Sequence, residues 1–252
     1  MEKRKQNHQW NPWHGCHKTS PGCQNCYVYM QDKGFDKDAS IVQKSVTNFN
    51  LPTRLNRQHQ YSIESGNTIH TCFTSDFFIE EADKWRDEAW AIIQKRSDLN
   101  FIIPTKRIHR FLECIPSNWG KGYDNVAIAV SCENQLYADK RLPFFLELPI
   151  KHKIVFVAPI LEEVHLEKFL ATGKIEKVAV GGESYENARV CDFDWVLSLH
   201  NQCKQYNTSF EFYQTGSNFK KDGKLFKINH FKEFAQAKKA GLDFEAKKAN
   251  FD

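Results

Sequence analysis

The chain has 252 residues, 41% hydrophobic and 26% charged, which are the proportions of a folded globular protein with room for one large α/β domain. No run of about 18 apolar residues occurs, and the basic N-terminus lacks the apolar stretch of a secretory signal, so a cytoplasmic protein with no membrane partner is expected. A net charge of +4 with a pI near 8.5 suits an anionic small molecule or a weak nucleic-acid contact, and argues against a dense nucleic-acid-binding arm.

In chain order, apolar patterning predicts a short strand before Trp13 and then strands over 68–73, 99–103, 125–130, 153–157, 177–180 and 209–213. Helices are predicted over 80–95, 107–114, 135–146, 162–171 and 193–205, the last with Asp192 as its cap. Near-continuous apolar strands alternating with helices imply a parallel sheet with helices packed outside. Six or seven strands point to a partial (β/α) TIM-like barrel; a doubly wound open sheet is the alternative. No repeat or linker divides the chain, so residues 1–252 are expected to form a single domain, with 217–252 as a C-terminal extension packed on it. The lysines of that extension (Lys238, Lys239, Lys247 and Lys248) read as a solvated helix face.

Eight cysteines are present. Cys72, Cys114, Cys132, Cys191 and Cys203 stand singly among apolar neighbours and read as small buried hydrophobes. Cys16, Cys23 and Cys26 instead share one Gly/Pro-rich segment, WNPWHGCHKTSPGCQNCYVY, with Cys-x6-Cys-x2-Cys spacing. Thiolates are the favoured ligands of iron–sulfur clusters and zinc. Three cysteines on a cubane leave one iron open to a cofactor or substrate. Structural zinc, completed by His14 or His17, is the competing reading.

Polar residues crowd the C-terminal tip of each predicted strand, where barrel enzymes build their sites. Thr74 and Ser75 are candidates for the amino and carboxylate groups of a cofactor, or else cap the next helix. Ser131 and Glu133 are candidates for a ribose, and Lys106 for a carboxylate or the substrate. Gly181-Gly182-Glu183 permits close ligand approach and offers an acceptor for an amino group, and is assigned to the substrate. Asp76 is the second choice of acceptor, and Ser184 a further polar contact. Trp13 and Tyr213 could stack on a flat ring, or simply pack the barrel mouth along with Trp10, Tyr27 and Tyr29.

The segments WNPWHGC and SPGCQNCY, followed by FTSDFF, IIPTKRIHRFLE, NVAIAVSCENQLYADKRLPFFLELP, VAVGGESYENARVCDFDWVLSLHNQC and FEFYQTG, resemble a phage- and bacteria-associated radical S-adenosylmethionine-like family with a three-cysteine motif. The resemblance runs in order from Trp10 to Gly216. It implies a radical SAM-type barrel in which Cys16, Cys23 and Cys26 hold a [4Fe-4S] cluster that binds S-adenosyl-L-methionine. The cofactor is then cleaved reductively, with electrons from a donor such as flavodoxin or ferredoxin.

Within such families the best-defined activity is queuine lyase. It splits queuine and releases 7-aminomethyl-7-deazaguanine, a carbon–nitrogen lyase step in queuosine salvage. That implies a small-molecule 7-deazaguanine base as partner, read at its N1–H and 2-amino group by Glu183 or Asp76. Glu133 or Ser184 would then meet the cyclopentene hydroxyls, and Trp13 or Tyr213 would hold the ring plane. The chain departs from the common radical SAM pattern in its six-residue first spacer and in Asn25, which stands where an aromatic residue precedes the last cysteine. A nucleic-acid base lesion or modification as substrate, and a zinc-bearing interaction domain, are the other readings.

Overall fold

The structure is a computed structural model that describes residues 7–247 and 251. Its centre is a curled half-barrel of seven parallel strands. These are β1 (Asn7–Trp10), β4 (Thr68–Thr71), β5 (Asn100–Thr105), β6 (Val126–Ser131), β7 (His152–Val157), β8 (Lys177–Gly181) and β10 (Ser209–Gln214), neighbours in that order. Two short strands, β2 (Trp13–His14) and β3 (Gln43–Lys44), pair beside the N-terminal loop. β9 (Cys191–Asp192), β11 (Asn218–Lys221) and β12 (Lys224–Lys227) form a small separate sheet. The helices are α1 (Tyr27–Lys33), α2 (Asp83–Lys95), α3 (Phe111–Cys114), α4 (Gln135–Glu147), α5 (Glu167–Leu170), α6 (Phe193–Gln205) and α7 (Glu233–Lys239).

The strands bury both faces, and side-chain size decides which face is which. On β6, Val126, Ile128 and Val130 join the helix-covered core, whereas Ala127 and Ala129 face the concave side with Ile154. Small residues there leave the inside of the half-barrel open. The helix-side core is aromatic under β1 and β5, with Trp10 and Phe101 ring centroids 5.9 Å apart. All five singly placed cysteines lie buried in that core, as expected of small hydrophobes.

The expected architecture is present, with three corrections. β4 ends at Thr71, two residues early, because Cys72 turns the chain with φ +60°. The helix predicted over 162–171 shrinks to Glu167–Leu170, since Val164 and Leu166 enter the core from irregular backbone ahead of it. The C-terminal segment carries a hairpin and a helix with a specific partner: Lys238 binds Glu211 of β10 at 3.1 Å as well as Asp243, so it is not a merely solvated lysine. Lys239 is exposed as expected; Lys248 lies outside the described residues. Among the described residues no helix is long and apolar enough to cross a membrane.

Truncating the buried Phe101 to Ala should lower the unfolding free energy by about 3–5 kcal/mol, read from urea denaturation at unchanged m-value.

Candidate active site at the cysteine loop

Residues 15–26 lie across the C-terminal tips of the half-barrel and contain one turn of regular structure, the 3-10 segment Pro21–Cys23. Their shape therefore comes from outside. At β4, Gly15 donates its N–H to the Thr74 carbonyl (3.1 Å) and accepts from Ser75 Oγ (2.5 Å). After β5, the buried Arg107 donates to the His17 carbonyl (2.9 Å) and to Cys16 Sγ (3.4 Å). Asp76 holds that guanidinium at 3.4 Å while accepting from Thr105 Oγ1 and the Lys106 N–H. After β6, the fully buried Glu133 accepts from Ser20 Oγ and from Arg141 at 2.8 Å, and Lys106 lies 3.7 Å away. Gly22 lies so close to Glu133 that a Cβ would come within 2.3 Å of its Cγ, so this glycine is what lets the loop seat. After β8, Glu183 accepts from Arg189 Nε at 2.9 Å and from Asn25 at 3.1 Å, and Arg189 also donates to the Pro21 carbonyl.

The thiols differ in their surroundings. Cys16 Sγ accepts from Arg107, Cys23 Sγ lies 3.7 Å from Ser20 Oγ, whose proton goes to Glu133, and Cys26 stands at the N-terminus of α1 without a side-chain hydrogen bond to it. A donor aimed at sulfur, as Arg107 is at Cys16, is what a thiolate ligand needs. Burial pushes the Cys16 thiol up to about 11, with Arg107 pulling the other way, and raises Cys26 as well. Thiols held protonated in this way release protons when they take a metal. Among the described residues no three His, Cys, Asp or Glu side chains close on one point as ligands of a single metal ion. The histidines considered for zinc are engaged elsewhere: His14 Nε2 with Asp32 at 2.7 Å, and His17 Nε2 with Glu81. Three thiols on one segment are the donor chemistry a cluster asks for, where each thiolate would hold a different iron. For S-adenosyl-L-methionine the fitting atom is Thr74 Oγ1, which is buried at the rim without a partner.

Several sequence-derived assignments change. Ser75, Asp76, Glu133 and Glu183 all lie at the rim, but they clamp the cysteine loop rather than wait for a ligand. Ser184 donates to Glu233 of α7 at 2.5 Å. The glycines of Gly181-Gly182-Glu183 make room for protein: Gly181 for the Tyr213 ring, Gly182 for the Thr215 carbonyl. Trp13 is fully buried, with its ring against Phe77 and its N–H on the Asp76 carbonyl, so it packs the core instead of stacking on a ligand. Ser131 is buried at the top of β6, with its carbonyl accepting from Arg141. Tyr213 lies on the concave face.

Tyr213 and Phe73 line a cavity of about 600 Å³ inside the half-barrel. Tyr27 of the cysteine segment donates its hydroxyl to the Phe73 carbonyl, so the cavity lies one layer of side chains beneath the loop. Its walls bring in two residues that no motif marked, His70 and Glu211. His70 Nδ1 is buried without a partner, and burial lowers its pKa, favouring the neutral ring. Burial pushes Glu211 upward, but Lys177 and Lys238 outweigh it and the carboxyl ends below its usual range. Strand alternation could have found both, because His70 and Glu211 occupy inward positions of β4 and β10.

A three-thiol loop clamped over the C-terminal rim of a parallel α/β half-barrel, above an aromatic-walled cavity, defines the site. The chain belongs to the DUF5131 family, described as a protein family of unknown function, whose model matches residues 4–250. That match includes the C-terminal segment, which the sequence resemblance had placed outside. No curated protein matches the chain, and no solved structure does.

Burial raises the Glu183 pKa, but hydrogen bonds from Arg189 and Asn25 outweigh it, leaving the value below the ordinary 4.5. A depressed folded-state pKa stabilises above the ordinary value and ceases to do so as pH falls through the folded one. The melting temperature of Glu183→Gln should therefore lie below wild type at pH 7, and the gap should close on acidification below 4.5.

Proposed function

We propose that this chain is a radical S-adenosyl-L-methionine enzyme in which Cys16, Cys23 and Cys26 hold a [4Fe-4S] cluster. The observation that carries the reading is that one short segment bearing three thiols is clamped over the C-terminal rim of a parallel half-barrel, with the Arg107 guanidinium donating to one of them. Loaded with its cofactor and reduced by one electron, such a cluster supplies an organic radical able to remove hydrogen from carbon. The protein's part is position and exclusion of water. Arg107 orients the Cys16 thiol. Thr74 Oγ1 offers a hydrogen bond to the polar end of the cofactor, with Ser131 and Lys106 on the neighbouring tips. Tyr27, Phe73 and Tyr213 form the layer between the loop and the cavity.

The cavity is the substrate's place in this reading, and its chemistry favours a flat nitrogen heterocycle. Aromatic walls take the ring faces. The Glu211 carboxylate accepts hydrogen bonds, and the unpartnered His70 Nδ1 is an acceptor in the Nε2–H tautomer of the neutral ring, which suits a base with adjacent ring N–H and amino groups. Queuine, a 7-deazaguanine base, is the substrate proposed on this basis together with the sequence resemblance, and the reaction is cleavage of its carbon–nitrogen bond. Glu211, which also pairs with Lys177 and Lys238, and His70 replace Glu183 and Asp76 as readers of the base, because they line the cavity and the latter pair does not.

Anaerobic reconstitution with iron and sulfide, followed by reductant and S-adenosyl-L-methionine, should release 5′-deoxyadenosine from wild type and none from Cys23→Ala. Colourless protein that takes up zinc and no iron would overturn the reading. With queuine added, wild type should form 7-aminomethyl-7-deazaguanine. Glu211→Gln should keep its cluster and lose at least about tenfold in kcat/KM, the cost of one charge-assisted hydrogen bond.

A further inference from the structure

A second concavity, about 410 Å³, opens on the outer side of the cysteine loop. Cys26 is the one cysteine of the triplet that lines it, beside Tyr29 and Met30. Lys18, Lys33 and Lys37 surround it, and Asp38 is the single acid in its lining. Asp38 is held ionised by hydrogen bonds from Ser40, so the groove carries a net charge of about +2 at neutral pH. Lys33 and Lys37 have no acidic partner among the described residues, unlike Lys44, Lys151 and Lys174, which pair with carboxylates. The same segment exposes Phe35 and Ile41, 75% and 59% accessible. An apolar patch with a basic rim against a cluster ligand has the make-up of a small, transient interface rather than a ligand pocket.

We infer that this groove docks an acidic one-electron donor protein, whose negatively charged face pairs with Lys18, Lys33 and Lys37 and brings its redox centre against the Cys26 side of the cluster. This rests on the cluster proposed above. The electron balance is simple: the donor is oxidised by one electron and the cluster is reduced by one. Groups on the opposite side of the loop do not serve as well, because Cys16 faces inward onto Arg107 and Asp76. Rim charges of this kind act on encounter, so they set the association rate and its dependence on salt.

The test uses the reconstituted full chain under anaerobic conditions, with cluster reduction followed by loss of visible absorbance and by electron paramagnetic resonance. Reduced flavodoxin and dithionite are compared as reductants. K33E/K37E, which turns the groove from about +2 to about −2, should be reduced by flavodoxin at least tenfold more slowly than wild type at low salt, and added salt should speed that reduction where it slows wild type. Dithionite, which needs no docking, should reduce both proteins at the same rate, and the milder K33Q/K37Q should fall between them with flavodoxin. Equal flavodoxin rates in wild type and both variants would overturn the docking surface while leaving the cluster in place. A wild-type chain that binds no cluster would overturn the functional reading and this proposal with it.

Discussion

The cysteine loop depends on buried charges that are not its own. Arg107 stands between Asp76 and the loop, Glu133 between Arg141 and Ser20, and Glu183 between Arg189 and Asn25. Removing one member of such a pair leaves an uncompensated buried charge, typically about 3–5 kcal/mol. A loop with little hydrogen bonding of its own is thus fixed at three strand tips at once. The long spacer of Cys-x6-Cys-x2-Cys is held the same way: Arg107 and Glu81 at His17, Glu133 at Ser20 and Arg189 at Pro21 tie the intervening residues down.

This use of the rim has a cost and a consequence. The carboxylates that hold the loop already have their hydrogen-bonding capacity in use, and the proposed place for a substrate lies inward, on the concave face. There the alanines of β6 leave space, and His70 and Glu211 retain hydrogen-bonding capacity. The C-terminal segment is part of the same arrangement. Lys238 reaches Glu211, while Glu233 accepts from Ser184 and Ser217, which joins α7 to the tip of β8.

The parallel strands were legible because burial on both faces writes a continuous apolar run, and α6 because Asp192 caps an amphipathic period. The hairpin of β11 and β12 had a local signal that went unread: Asp222-Gly223, both with positive φ, is the two-residue turn that hairpins prefer. Trp13 misled because an aromatic residue beside a cysteine looks the same in sequence whether it packs or stacks. The choice is made by Phe77 and Asp76, more than sixty positions away.

Sequence alone determined the class of sheet, the cysteine triplet and the rim on which it sits, because periodicity and spacing are local properties. Only the tertiary structure decided which rim groups are free. A carboxylate's hydrogen-bond partners come from whatever strand tips the barrel brings beside it: Glu133 meets Ser20 across 113 positions and Glu183 meets Asn25 across 158. No local pattern encodes such a meeting. It follows from closing seven strands into one curved sheet.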